Sequence, residues 1–195
     1  MTAAPADTRP TIVFLGTSLT AGYGLAPDDA YPARIQEMVD SAGLGYRVVN
    51  AGLSGETSAG ALRRVDWLFG QGPIAVLVVE TGANDGLRGQ SIDSLRANLR
   101  HILQRATALD PKPRIVVAGM EALPNLGREY GTRFRAIYPE LATEFGAVYL
   151  PFLLAGVAGD DRLNQADGVH PTAEGARRVA ANVWRVLEPV LRTES

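Results

Sequence analysis

Short apolar segments alternate with longer amphipathic segments along this 195-residue chain, and this alternation strongly restricts its fold. The clearest apolar segment is 74–80, Ile-Ala-Val-Leu-Val-Val-Glu, which would be apolar on both faces of a strand. Such a strand must be covered on both faces, as in a parallel sheet between two layers of helices. The pattern predicts strands at 11–15, 46–50, 74–80, 114–118 and 148–151, and helices at 30–41, 58–69, 91–109, 128–145 and 172–191.

We therefore predict an α/β fold of three layers, α/β/α, around a five-stranded parallel sheet in the flavodoxin-like order 2-1-3-4-5. One domain is expected over 11–195, preceded by a disordered or extended tail over 1–10. We also expect Pro139 to interrupt or kink the helix over 128–145, because proline lacks a backbone N–H and clashes with the preceding turn.

Composition excludes several classes of protein. The chain has no cysteine, which excludes disulfides, thiolate zinc sites and cysteine nucleophiles. With 19 basic and 21 acidic residues, its net charge of −2 gives no basic footprint for nucleic acid. No apolar run approaches the roughly 20 residues of a membrane-spanning helix. Residues 1–10 lack the basic start and apolar core of a signal peptide.

Polar candidates follow the predicted strands at the same end of the sheet. Ser18 follows the first strand, Gly55 the second and Asn84 the third, and His170 lies in the loop after the fifth. In doubly wound sheets, ligands bind at the carboxyl ends of the strands, where the strand order reverses. Viewed separately, Ser18 could be a helix cap, Gly55 a loop glycine and Asn84 a turn residue. Their common position favours a functional site.

A serine, a histidine and an aspartate supply the nucleophile, base and orienting group for acyl transfer. His170 lies three residues after Asp167, close enough in a turn for the carboxylate to reach one imidazole nitrogen. The other histidine, His101, lies beside the apolar stripe of the helix at 91–109, and we interpret it as a solvated or boundary residue. The Ser18 N–H and the Asn84 amide could face a developing oxyanion.

These blocks resemble the SGNH, or GDSL-type, hydrolase family, which is named for its serine, glycine, asparagine and histidine. The matching residues are Ser18, Gly55, Asn84 and His170, with Asp167 as the third member of the triad. The resemblance covers nearly the whole chain.

Within the family, the chain is most similar to the bacterial thioesterase I, lysophospholipase and arylesterase group, through segments 15–23, 82–89 and 134–152. One departure is Thr17, because the family usually has an aspartate before the serine.

The resemblance implies hydrolysis of esters and thioesters through an acyl-enzyme, with short to medium acyl chains, aryl esters and lysophospholipids as substrates. Ser18 would attack, His170 would move the proton and Asp167 would hold the imidazole. The oxyanion hole would consist of the N–H groups of Ser18 and Gly55 and the side chain of Asn84. The resemblance implies no cofactor and no metal ion, and a small-molecule ester or thioester as the partner. It also favours a periplasmic or secreted location.

The loop at 120–127 follows the fourth predicted strand and should lie at the same end of the sheet. With Leu87, its residues Leu123, Pro124 and Leu126 offer apolar surface for an acyl or aryl group, although simple loop packing would explain them equally well. Two other functions stay open. One is a carbohydrate O-deacetylase with the same site, and the other is a non-catalytic flavodoxin-like binding module.

Overall fold

Five parallel strands form the sheet of the computed structural model, which describes residues 7–193. Their order is β2-β1-β3-β4-β5, which confirms the predicted fold class and strand order. The strands are β1 Thr11–Gly16, β2 Arg47–Gly52, β3 Val76–Val79, β4 Arg114–Ala118 and β5 Val148–Leu150. The central strands β1 and β3 are buried along their whole length, as expected for strands covered on both faces.

Helices cover the sheet on two sides. Helix α2 packs against α7 on one side, whereas α5 packs against both α3 and α6 on the other, as right-handed crossovers on either side of a reversal in strand order require. The helices are α1 Ser18–Ala21, α2 Tyr31–Ser41, α3 Ser58–Phe69, α4 Ala83–Leu87, α5 Ile92–Thr107, α6 Arg128–Phe145 and α7 Ala173–Arg192. The short helices α1 and α4 fall in segments read from the sequence as a loop or helix start and as a turn, because one helical turn is too short to show a periodic pattern.

Hydroxyl side chains define where several helices begin. Thr57 accepts a hydrogen bond from the Gly60 N–H at the start of α3, and Thr172 accepts one from the Gly175 N–H at the start of α7. Each hydroxyl satisfies an N–H that has no partner inside its helix. The polar loops at the carboxyl end of the sheet therefore pass into helices at fixed positions.

Helix α6 continues through Pro139, so the expected interruption does not occur. The proline removes the N–H that would bond to the carbonyl of Arg135, one turn earlier. Arg135 is exposed, so water can take the place of that donor.

The predicted tail at 1–10 falls largely on residues 1–6, which lie outside the described residues. Just before β1, the Arg47 N–H donates to the carbonyl of Pro10 at 2.9 Å, which extends the pairing of β1 with β2 by one residue. The division into a tail at 1–10 and a single domain at 11–195 stays a prediction.

The strand register places three chain segments level with one another at the carboxyl end. Gly16 of β1 pairs with Gly52 of β2, and Leu15 pairs with Val79 of β3. The residue after β3, Glu80, donates its N–H to the carbonyl of Leu15 at 2.8 Å. The loops after β1, β2 and β3 therefore leave the sheet side by side.

Gly52 permits the close approach of β2 to α1, and this contact can be tested. A Cβ atom at Gly52 would lie 2.3 Å from the backbone nitrogen of Ala21, which cannot move away independently of α1. We expect Gly52→Ala to lower the free energy of unfolding by about 1–3 kcal/mol, as overpacking does. Gly45→Ala is the matched control, because a Cβ there meets nothing within 4 Å. It should change stability by less than about 0.5 kcal/mol. Equal urea unfolding midpoints for the two variants would contradict this account.

Candidate active site

Ser18 is the first residue of α1, directly after β1. Thr17 caps this helix, because its side chain accepts a hydrogen bond from the Leu19 N–H. The Ser18 N–H lies at a position without an intrahelical acceptor, so it is free to bond to a ligand. The strand-to-helix turn thus presents both the hydroxyl and the N–H of one serine at the carboxyl end of the sheet.

Ser18, His170 and Asp167 form a continuous chain of hydrogen bonds. The Oγ atom of Ser18 lies 2.9 Å from Nε2 of His170, although the two residues are 152 positions apart. The Nδ1 atom of His170 lies 2.6 Å from Oδ2 of Asp167. A carboxylate can only accept, so Nδ1 carries the hydrogen and Nε2 is left to accept from the serine hydroxyl. The structure thus brings these three predicted residues together in the order that proton transfer needs.

Asp167 is held by the loop as well as by the imidazole. Its Oδ1 atom accepts the N–H groups of His170 at 3.0 Å and Val169 at 2.9 Å. The backbone N–H of His170, its imidazole and the N–H of Val169 lower the pKa of Asp167 to about 2. Because this pKa is depressed, the bonds stabilise the fold above the ordinary carboxyl pKa of 3.8, and that stabilisation is lost as the pH falls through about 2. Asp167 is therefore ionised throughout the neutral range.

Tyr23 packs on the imidazole and was not predicted from the sequence. Its ring centroid lies 4.6 Å from that of His170, with the two planes tilted by 41°. The side chain of Gln165 donates to the carbonyl of Tyr23 at 2.7 Å, which ties the loop after α1 to the loop that carries His170. His101, in contrast, is exposed on α5 and far along the chain from these loops.

Gly55 lies in the loop after β2 and Asn84 lies in α4, and these two segments are bonded to each other. Asn84 donates from Nδ2 to the carbonyl of Glu56 at 2.9 Å, which leaves the second hydrogen of its amide available. Gly55 has a φ of 78°, and a Cβ atom there would meet nothing within 4 Å. Within residues 7–193, the Gly55 N–H has no hydrogen-bond acceptor. Both residues thus offer a donor that the described chain does not use.

Two buried acids, Glu56 and Asp85, hold these two segments in place through hydrogen bonds and an ion pair. Glu56 pairs with Arg64 of α3 at 2.6 Å, and the same arginine donates to the carbonyl of Ala51 at 2.8 Å. Asp85 of α4 accepts the N–H and the hydroxyl of Ser58 at 2.8 and 2.6 Å. The position of α4, which carries Asn84, relative to the Gly55 loop is therefore fixed by satisfied buried polar groups.

Glu80 is a third buried acid, and it lies beneath the Ser18 turn. Its carboxylate accepts the Thr17 N–H at 2.9 Å, the Thr17 hydroxyl at 3.0 Å and the Thr20 hydroxyl at 2.8 Å. Burial raises the pKa of Glu80 to about 7, although these donors act in the opposite direction. From its sequence, Glu80 was predicted only as the last residue of a strand. The available signal was an acid at the end of an otherwise apolar segment.

An apolar cavity of about 420 Å³ opens beside Ser18 and Asn84. Leu87, Leu123 and Pro124 line this cavity, as the sequence analysis anticipated for an apolar surface. Leu126 does not line it and lies against Gly89 instead. Further walls come from the loops after β4 and β5, which contribute Met120, Phe152 and Leu154. A wider groove of about 710 Å³ follows the exposed edge at β2, but it contains none of Ser18, Asn84 and His170.

The fold and the site together define a hydrolase class, and comparisons with known proteins agree. Residues 14–178 match the GDSL-like Lipase/Acylhydrolase family, and the chain belongs to that family. Among the helices of residues 7–193, none combines the length and the apolar character needed to cross a membrane.

Individual relatives are similar over nearly their full lengths. Esterase TesA of Pseudomonas aeruginosa is 38% identical over 181 residues, which span 93% of this chain and 89% of that protein. Thioesterase 1/protease 1/lysophospholipase L1 of Escherichia coli is 37% identical over 193 residues, spanning 99% and 89% of the two chains. The crystal structure of a psychrotrophic esterase, EstA, from Pseudoalteromonas sp., inhibited by monoethylphosphonate, superposes with a TM-score of 0.88 at 29% identity, covering 94% and 99%.

Proposed function

We propose that this protein is a serine hydrolase that cleaves carboxylic esters and thioesters through an acyl-enzyme intermediate. The observation that carries the proposal is the hydrogen-bonded chain from Ser18 through His170 to Asp167, at 2.9 and 2.6 Å. This arrangement supplies a nucleophile, a base in contact with it and a carboxylate that orients the base. Family membership and the names of the relatives support the same reaction class.

Each side chain of the triad has a defined role in the proposed reaction. As the Ser18 oxygen attacks the acyl carbon, its proton passes to Nε2 of His170. The imidazolium then returns that proton to the departing alcohol or thiol, and the acyl group stays on Ser18. In the second half, His170 takes a proton from the water molecule that attacks the acyl-enzyme. The imidazolium then returns this proton to the Ser18 oxygen as the bond to the acyl carbon breaks, which releases the acid and regenerates both groups. Asp167 stays ionised and stabilises the transient imidazolium.

The negative charge on the acyl oxygen would be bound by three donors. These are the N–H groups of Ser18 and Gly55 and the second N–H of the Asn84 amide. The first two have no acceptor within the described chain, and the third belongs to an amide on α4 whose other N–H donates to the carbonyl of Glu56. Donors that are fixed before the reaction stabilise the transition state without reorganising at that moment.

The apolar cavity favours an acyl or aryl group over a sugar. Its walls near Leu87, Leu123 and Phe152 offer few polar side chains for hydroxyl groups. The alternative of a carbohydrate O-deacetylase would need such partners, because polar substrates are recognised through paired hydrogen bonds. We therefore propose esters and thioesters of short to medium acyl chains, aryl esters and lysophospholipids as the substrate range.

Loss of the nucleophile or the base should abolish turnover. We expect Ser18→Ala and His170→Ala each to lower kcat for a 4-nitrophenyl ester by at least about 10³-fold, because neither group can be replaced from the solvent. A serine-directed phosphonate should add one covalent group, at Ser18. His101→Ala is the control for His170→Ala and should keep the wild-type rate. Labelling at another residue, or near-full activity in Ser18→Ala, would refute the proposed mechanism.

The role of Asn84 can be separated from substrate binding. Removing one oxyanion donor should lower kcat by about 10²- to 10³-fold, so this is the expected effect of Asn84→Ala. KM should change much less, because the charge that Asn84 binds develops only near the transition state. Steady-state kinetics with a single ester would measure both. A loss confined to KM would mean that Asn84 positions the substrate instead.

A series of 4-nitrophenyl esters and thioesters of graded acyl length tests the role of the cavity. Each methylene buried there should raise kcat/KM by about fourfold, since burial contributes about 0.8 kcal/mol per methylene, until the cavity is filled. Leu123→Ser should weaken this dependence while leaving the acetyl ester nearly unchanged. Leu126→Ser is the matched control, because Leu126 lies outside the cavity lining. A strict preference for acetyl groups, with faster deacetylation of acetylated sugars, would favour the alternative function.

A further inference from the structure

Glu80 is bonded to the residues on both sides of Ser18. It accepts two hydrogen bonds from Thr17, one residue before the serine, and one from Thr20, two residues after it. Both carboxylate oxygens accept hydrogen bonds. Oε2 accepts from the Thr17 N–H and the Thr20 hydroxyl, and Oε1 accepts from the Thr17 hydroxyl. The turn that carries Ser18 is thus held from both of its ends by one side chain.

The network continues beyond Glu80 to α2. The Tyr31 hydroxyl lies 2.7 Å from Oγ1 of Thr20. Since the Thr20 hydroxyl donates to Glu80, it accepts from Tyr31, and the donor directions are fixed along the chain. A Cβ atom at Gly16 would lie 2.0 Å from Oγ1 of Thr20 and 2.7 Å from Oε2 of Glu80. Glycine at this position leaves the space that the bond between Thr20 and Glu80 occupies.

Glu80 has no counter-charge to explain its burial. Glu80 is only 1% exposed. No arginine or lysine of the described chain shifts its ionisation. The ionisable groups that face it are the phenols of Tyr31 on α2 and Tyr138 on α6. Burial raises the pKa of both phenols, and carboxylates act in the same direction, Glu80 at Tyr31 and Asp85 followed by Glu80 at Tyr138, so both phenols stay neutral. Burying a carboxylate without a cation has a large desolvation free energy, which hydrogen-bond donors must offset. The donors to Glu80 all come from the Ser18 turn, so this turn is where Glu80 acts.

We propose that Glu80 is a positioning residue for the nucleophile, acting through Thr17 and Thr20. This inference rests on the proposed function of Ser18. By fixing the turn, Glu80 directs the Ser18 hydroxyl towards Nε2 of His170 and the Ser18 N–H towards the oxyanion. It does not touch the substrate or transfer a proton. Displacement of a reacting group by about 1 Å can lower a rate by about 10²-fold. Loss of the hydrogen bonds from the Ser18 turn to Glu80 should therefore lower kcat more than it changes substrate affinity.

Glu80→Gln is the principal variant, because it preserves side-chain volume but leaves only one acceptor oxygen. At least one donor of the turn must then face an amide NH₂ group. We expect kcat to fall by about 10- to 100-fold, with KM within about twofold of the wild type. The rate constant for covalent inactivation by a 4-nitrophenyl phosphonate should fall in parallel, since it reports the nucleophile alone. Assays at pH 8 or above keep the wild-type carboxylate largely ionised, because its pKa is about 7.

Two further variants distinguish positioning from a loss of stability. Leu103→Ala, which removes a fully buried side chain of α5, should lower the melting temperature while leaving kcat within about twofold. Thr17→Val keeps the shape of the side chain but removes the hydroxyl that donates to Glu80 and caps α1. We expect the effect of Glu80→Gln to be at least about threefold smaller in that background. If Glu80→Gln does not fold, Thr17→Val and Thr20→Val serve as the test, and each should lower the inactivation rate constant with an unchanged KM.

The outcomes separate this inference from the proposed function. If the phosphonate fails to label Ser18 in the wild type, the proposed function is wrong. If Ser18 is labelled, but Glu80→Gln or the two valine variants are labelled at the wild-type rate, the positioning role is overturned. A fall in melting temperature with an unchanged kcat would also overturn it, because Glu80 would then be purely structural.

Discussion

The level parallel register of β1, β2 and β3 is the constraint on which the site depends. Gly16 is paired with Gly52, and Leu15 with Val79, so the three strands end at nearly the same height. The ladder fixes the height of each strand, because a shift in register would break all of its hydrogen bonds together. The loops that follow need only a few residues to bring their polar groups within contact distance.

Above the sheet, each loop is stabilised by a buried acid whose hydrogen bonds are satisfied. Glu80 holds the Ser18 turn, Asp85 joins α4 to the start of α3, and Glu56 pairs with Arg64. Burying a carboxylate has a large desolvation cost, which such bonds offset only when the geometry is good. Few other arrangements of these loops would therefore satisfy the three buried carboxylates. A polar network of this kind rigidifies the loops, which is what a preorganised oxyanion site needs.

The position of Thr17 gives a physical reason why a threonine suits this chain, although the family resemblance led us to expect an aspartate there. Thr17 is fully buried, and its hydroxyl donates to Glu80 at 3.0 Å. An aspartate there would place two carboxylates together in a buried site, and the pair would have to share a proton. The neutral hydroxyl supplies a donor without that requirement. It also caps α1, so a single side chain both starts the helix and bonds the turn to Glu80.

The sequence by itself determined the alternation of strands and helices and the positions of Ser18, Gly55, Asn84 and His170 after the strands, whereas the strand order was assigned from the flavodoxin-like fold type. The alternation follows from local periodicity, and the carboxyl ends of parallel strands lie at one edge of a sheet whatever the details of packing. Only the tertiary structure decided that Ser18 meets His170 at 2.9 Å, that Leu126 lies outside the cavity and that Glu80 is buried beneath the serine. Those outcomes depend on which side chains face each other across separate elements. Spacing along a chain does not specify that, because contact between distant residues is set by register and packing.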